Sequence, residues 1–227
     1  MSDTSGSPQP EPLDLLDYMR AIGHDVGAPI RHIRGFSGLL DDEIGASLED
    51  EPRLLLDQIK SSAELAESMI YGLHDLAHLG GRLQRRAIPS LAAVVENAKD
   101  QLAAPELVVT IAGDAQANSD QRLLSRMIAN IMRNTLAYAN KPHLAVAIEQ
   151  SSAGATITLR DQGPAFAQKE WLKLLQPFKR LHGRPTINAV GLGLTEVQHV
   201  AGLLSITLTA QAIPDKSLSI ELRLTPG

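Results

Sequence analysis

The sequence predicts an α+β protein: a long antiparallel helical hairpin followed by an α/β two-layer sandwich. Two apolar series carry the first half of that prediction. Met19, Gly23, Val26, Ile30, Ile33, Ser37 and Leu40 recur at alternating spacings of three and four, and Leu55, Ile59, Ser62, Ala66, Met69, Leu73 and Leu76 do the same, the period of one helix face. The second half rests on a change of pattern after residue 84, where helix-period segments begin to alternate with β-rich runs.

In chain order, residues 1–12 hold three prolines and no apolar periodicity, which reads as a disordered leader with no room for a sensor domain. Residues 13–83 form the hairpin: a helix from Leu13, a turn-prone stretch from Gly45 to Pro52, and a second helix stopped by Gly80-Gly81. With one apolar stripe per helix, a single hairpin leaves both stripes partly bare. Two copies paired into a four-helix bundle remove that exposure, so a homodimer is expected, against the alternative of a monomeric hairpin packed on the rest of the chain. Residues 84–227 form the second domain. Helices are predicted over Ser90–Leu102, Asp120–Ala139 and Leu192–Leu203, and strands over Leu107–Ile111, His143–Gln150 and Ala155–Asp161. A loop-rich stretch covers 162–190, and a closing hairpin is predicted from Leu204–Ala210 and Leu218–Leu224.

Composition narrows the function. The chain of 227 residues is 44% hydrophobic and 21% charged, with a net charge of -5, so a packed core is available and nucleic acid is not attracted by charge. Aromatics at 3% provide no base-stacking platform. The absence of cysteine excludes disulfides, thiol catalysis and Cys-based zinc sites. No apolar run is long enough to span a bilayer and the N-terminus is not a signal peptide, so a cytoplasmic protein without membrane contact is expected.

His24 lies just off the first seam, so its ring is expected to project from the bundle. A neutral imidazole nitrogen attacks phosphorus when an acceptor holds the other nitrogen's proton, and Asp25 is the natural candidate. Pro29 costs roughly 3 kcal/mol inside a helix and leaves the carbonyl of Asp25 without its usual partner. Asn130 and Asn134 stand four apart on one helix face and can reach one ligand, unless they are simply surface amides. Asp161-Gln162-Gly163 at a strand end is a turn or a ligand-contacting carboxylate beside a flexible glycine. Gly191-Leu192-Gly193-Leu194 precedes a helix, whose N-terminal amides favour an anion.

Together these segments resemble the sensor histidine kinases, especially the phytochrome-type branch. His24-Asp25-x-x-x-Pro29 with Ile33-Arg34-Gly35-Phe36-Ser37 is similar to the H-box, and Asn130-Ile131-Met132-Arg133-Asn134 to the N-box. Asp161-Gln162-Gly163 resembles the first glycine box, Pro177-Phe178-Lys179-Arg180-Leu181-His182 the F-box, and Gly191-Leu192-Gly193-Leu194 the second. The resemblance covers residues 13–227 in the family's order. It implies an ATP-dependent kinase that phosphorylates His24 from Mg-ATP and passes the phosphoryl group to an aspartate of a response-regulator receiver domain. It further implies Mg²⁺ on the Asn134 carbonyl oxygen, adenine's amine on Asp161, and phosphates at Gly191 and Gly193; control by a separate sensor protein in trans is left open. The alternative is a non-catalytic phosphotransfer or scaffold protein with a degenerate ATP-binding domain.

Departures from the family pattern point to weaker nucleotide binding. Ala165 and Ala189 replace glycines of the two boxes, and Ala137 stands where the family commonly carries Lys or Arg. Ala28, four residues after His24, offers no polar side chain to orient water, so little phosphatase activity is expected. The remaining histidines (His32, His74, His78, His143 and His199) lack ligand-like spacing, His74 and His78 apart. Arg31, Arg34, Arg82, Arg85 and Arg86 read as solvated faces.

Overall fold

The computed structural model describes residues 15–139, 142–162, 170–179, 190–213 and 217–225, with the side chains of 15–22, 24, 212, 213 and 217 left out of the description. The chain divides into two compact units, Met1–Ala77 and His78–Gly227.

In the first unit, α1 (Leu15–Ile44) runs unbroken through Pro29, a 3₁₀ turn occupies Gly45–Ser47, and α2 (Asp50–His78) returns. Gly23 faces His74, Gly27 faces Ile70, Arg34 pairs with Glu67 and Asp41 with Lys60. Partners on α2 fall in number as those on α1 rise, which is antiparallel packing. Arg53 Nη1 adds a second cation 2.9 Å from Asp41 Oδ1. The Lys60 hydrogen bond, with help from Arg53, holds the Asp41 carboxyl below its ordinary value.

The expected seams divide between two environments. Val26, Ile33, Leu40, Leu55 and Ile59 are between 44% and 54% exposed, while Gly23, Gly27 and Ser37 on α1 and Leu56, Ala63, Glu67 and Ile70 on α2 are buried. On α1 small and polar residues let the two helices meet, against Leu56 and Ile70 of α2, while the larger apolar residues of the two seams named above turn outward. Periodicity detects a stripe but not what the stripe faces.

The second unit is a two-layer sandwich. A two-stranded antiparallel sheet pairs β1 (Arg86–Ile88) with β3 (Ala117–Ser119). The main sheet contains β2 (Val108–Ala112), β4 (His143–Ser151), β5 (Gly154–Asp161), β6 (Thr207–Ile213) and β7 (Ser217–Leu224). Its order is β2-β4-β5-β7-β6, parallel at β2-β4 and antiparallel elsewhere. Val146 and Ile148 of β4, which share a face with Leu144, register with Leu159 and Ile157 of β5, which register in turn with Ile220 and Leu222 of β7. All seven are buried. Glu149, Thr158, Arg160, Glu221 and Arg223 fall on the alternate positions, so one face is core and the other polar.

Helices α3 (Leu91–Leu102), α4 (Gln121–Tyr138) and α6 (Gly193–Leu204) supply the second layer. On α4, Leu123, Leu124, Met127, Ile128 and Met132 are fully buried, so truncating any one of them to Ala costs about 2–5 kcal/mol. Ser90 caps α3 by accepting from the Ala93 amide, and Asp114 Oδ1 accepts from Ala92 N at 2.9 Å and Ala115 N at 2.8 Å. Those bonds, the Ala92 amide first and the Ser90 side chain next, hold the Asp114 carboxyl below its ordinary value. Asp120 caps α4 through Oδ1 to Leu123 N at 3.2 Å, while its Oδ2 accepts from Gln84 N at 2.9 Å.

Three elements differ from the sequence expectation. The closing strand begins at Thr207, not Leu204, because α6 runs through Leu204 and Ser205 then turns left-handed at φ 59°. Ile206 N donates to Ala201 O at 2.8 Å and finishes the helix. The small β1-β3 sheet was not anticipated, and neither was the single-turn helix α5 (Trp171–Leu174) inside the stretch read as loop.

Candidate functional site

Helix α4 ends at Tyr138 and β4 begins at His143, so the connection is short. It brings the C-terminal end of α4 to the end of the sheet where β4 starts. Asp161 registers with Leu144, at the same end. Its Oδ1 also accepts from Leu218 N at 3.1 Å, tying the last residue of β5 to the start of β7. Gly193, the first residue of α6, lies against Asn134: a Cβ there would sit 3.7 Å from Asn134 Oδ1. The fold thus gathers Asn134, Gly193 and Asp161 from three elements to one end of the domain. Further along the same pair of helices, Arg126 grips Glu196 with both nitrogens, Nη2 to Oε2 at 3.2 Å.

The two asparagines are not plain surface amides. Asn130 is 6% exposed and its Oδ1 accepts from Arg133 Nη1 at 2.6 Å. The Nδ2 atoms of both Asn130 and Asn134 are buried and have no hydrogen-bond partner among the described residues. A buried amide without a partner costs roughly 1–3 kcal/mol, so the site is under-satisfied as it stands. A donor set of one free amide oxygen and two buried N–H₂ groups suits the polar, oxygen-rich periphery of a hydrated divalent cation and its phosphates.

Gly191 has φ 79°, and a Cβ there would lie 3.1 Å from both Cα and C of Phe178. Only glycine fits that conformation and that approach. Gly191 O accepts from Phe178 N at 2.9 Å, and Phe178 is itself left-handed at φ 63°. Two segments that look separate in sequence, around Phe178 and Gly191, are therefore one backbone junction. Leu192 precedes α6 without a side-chain cap, so the first amides of that helix are left to other acceptors. Leu192 is buried and Leu194 half-buried.

On the hairpin, His24 lies within α1 and its ring falls outside the described side chains, while Asp25 is exposed. Gly163, Ala165 and Ala189, which bear on the nucleotide loop, also lie outside the described residues. Arg34, expected to be a solvated face, pairs with Glu67, and Arg85 donates to Leu203 O at 3.3 Å. Sequence reasoning passed over Arg126 with Glu196, which are 70 positions apart. Thr195 went unnamed and His199 was set aside for lack of ligand-like spacing, yet their Oγ1 and Nε2 are buried without partners among the described residues. Their spacing of four on the helix after a glycine motif was the available signal. No helix among the described residues is long and apolar enough to cross a membrane.

Comparison with known proteins bears on this geometry. Residues 119–226 match the family model described as histidine kinase-, DNA gyrase B-, and HSP90-like ATPase. The chain is 24% identical over 233 residues to the sensor protein KdpD of Mycobacterium tuberculosis, covering 95% of this chain and 27% of that protein. It is 26% identical over 223 residues to the sensor-like histidine kinase SenX3 of the same species, covering 92% of this chain and 53% of that protein. It thus spans between about a quarter and a half of these two relatives. The solved structure of full-length ShkA in complex with AMPPNP superposes with a TM-score of 0.63 at 14% identity, over 93% of this chain and 47% of that one, which is a likeness of fold.

Proposed function

We propose that the chain carries the catalytic core of a sensor histidine kinase, and that it acts as a two-component protein-histidine kinase that phosphorylates His24 from ATP and serves an aspartate of a response-regulator receiver domain; the match to the ATPase family model and the likeness to SenX3 support the reading. The observation that carries this reading is the convergence of Asn134 on Gly193 beside two buried amides that lack partners. ATP is the phosphoryl donor, and Mg²⁺ held with its phosphates neutralises charge on them. The AMPPNP named for ShkA lends support from a relative of the same fold.

Each residue then has a task. The Asn134 carbonyl oxygen holds the cation, and the Asn130 and Asn134 N–H₂ groups turn to phosphate oxygens. The uncapped first turn of α6 offers amides to the same anion, with Gly191 shaping the loop before it. Asp161 accepts from the exocyclic amine of adenine. On the hairpin, Asp25 accepts the proton of the His24 nitrogen that does not attack, leaving the other nucleophilic. The outward stripe of Val26, Ile33, Leu40, Leu55 and Ile59 pairs with the same stripe of a second copy, giving a four-helix homodimer.

The test is incubation with γ-labelled ATP and Mg²⁺. Label on the wild-type chain that is absent from His24→Ala supports the reading. No label on the wild type, together with no heat of Mg-ATP binding at millimolar concentration, rejects it in favour of a non-catalytic phosphotransfer protein.

A further inference from the structure

Two arginines follow His24 on α1, and the hairpin uses them differently. Arg34 is paired with Glu67, whose side chain is 8% exposed. Arg31 has no carboxylate partner among the described residues. Its guanidinium lies over Gly27 instead: Nη1 is 3.0 Å and Cζ 3.9 Å from the place a Cβ on Gly27 would take. Gly27 comes three residues after His24, and Cβ positions at that helical spacing are about 5–6 Å apart. A permanently charged fork of five N–H donors is therefore held about one helical turn along α1 from the His24 backbone, with no carboxylate among the described residues to satisfy it. Arg31 is not the idle solvated residue that its surface position suggests.

We propose that Arg31 is the charge partner of the phosphoryl group at His24, and that Gly27 exists to keep its place open. The inference rests on the reading of His24 as phosphoacceptor. In the transfer, a bond forms between phosphorus and an imidazole nitrogen. The bond from phosphorus to the bridging oxygen breaks, and its electron pair leaves on ADP. The proton of the other imidazole nitrogen passes to Asp25. The phosphoryl oxygens stay anionic throughout, and Arg31 donates to two of them in the fork geometry that suits phosphate. Ile70 lies 3.6 Å from the same Cβ position on Gly27, so any side chain there is closed in from α2 and must push the guanidinium away.

The test uses the full chain and two donors, Mg-ATP and phosphoramidate. Phosphoramidate needs no nucleotide site: its P–N bond breaks, ammonia departs, and the phosphoryl group goes to imidazole. Arg31→Ala should lower the initial rate of His24 phosphorylation from either donor about five- to tenfold, the worth of one charge contact near 4 Å in wet surroundings. Arg31→Lys should recover part of the loss, and raising salt should narrow the gap between wild type and Arg31→Ala. Gly27→Ala should reproduce the loss while leaving thermal stability equal or higher, because alanine favours the helix. That combination separates the role from a structural one. If Arg31→Ala reacts with phosphoramidate at the wild-type rate, or if wild-type His24 takes no phosphoryl group from it, the inference is overturned. If wild type reacts with phosphoramidate but not with Mg-ATP, the kinase reading fails, and the Arg31 comparison is still decided by the first donor.

Discussion

The junction of Gly191 with Phe178 offers the sharpest test of the nucleotide loop, through Gly191→Ala. At φ 79° an alanine pays roughly 1–2 kcal/mol for the left-handed conformation alone. Its Cβ would also meet the Phe178 Cα and C at 3.1 Å, and both are backbone atoms that no rotamer change can move aside. Taken together, a cost of about 2 kcal/mol falls on the arrangement that precedes α6, which is about 30-fold in Kd if Mg-ATP binds only that arrangement. Gly202→Ala is the matched control, since nothing lies within 4 Å of a Cβ there and the position is inside α6. It should gain about 0.5–1 kcal/mol. Calorimetric titration with Mg-ATP reads the affinity and a thermal melt reads the stability. A Gly191→Ala chain that binds within threefold of wild type and melts at the same temperature would refute the reasoning.

Other expectations follow from the same geometry. Asn134→Ala should weaken Mg-ATP binding about 5- to 150-fold, the worth of 1–3 kcal/mol, and remove label from His24; wild-type affinity in a calorimetric titration together with retained label would count against the metal assignment. Ile33→Glu, on the outward stripe at 50% exposure, should reduce a dimer to monomer mass in light scattering at micromolar concentration, whereas a monomeric wild type would dispose of the four-helix pairing. Asp114 has its carboxyl held below 3.8 in the fold, so its stabilising effect is complete above that value and is lost as pH falls through the lower folded value. Asp114→Ala should therefore lower the melting temperature near neutrality, with the difference shrinking below about pH 4, and a difference constant down to pH 2 would contradict it.

The parts of the fold that are legible in the sequence are those where one face is buried over many residues. Helix α4 shows its period because Leu123, Leu124, Met127, Ile128 and Met132 all meet the core, and β4 and β5 alternate because only one sheet face is covered. The β1-β3 pair is hidden because three-residue strands have no period to read, and their partners lie about thirty positions apart. The hairpin is legible in part. Its apolar spacing is sound, yet Gly23, Gly27 and Ser37, the least conspicuous residues, are the ones that touch α2 or are buried beside it.

At the site, Asn130, Asn134, Asp161 and Gly191 were readable as motifs, because ligand contact demands particular side chains at fixed offsets. What spacing cannot reveal is which atoms are already taken. Asn130 has given its oxygen to Arg133, and Asp161 has given an oxygen to the Leu218 amide. Arg31 is the converse case: among the described residues it has no carboxylate partner, and its guanidinium lies over the bare Gly27, which no spacing in the sequence announces.

Asp120 joins two things that are usually anchored separately. One carboxylate oxygen finishes the first turn of the helix carrying Asn130 and Asn134, and the other holds the amide of Gln84, just before β1. A pull or twist arriving along the chain at residue 84 therefore loads the start of α4 directly, before it reaches any strand of the main sheet. The first turn of the helix that carries Asn134 near its other end is thus fastened to the incoming chain.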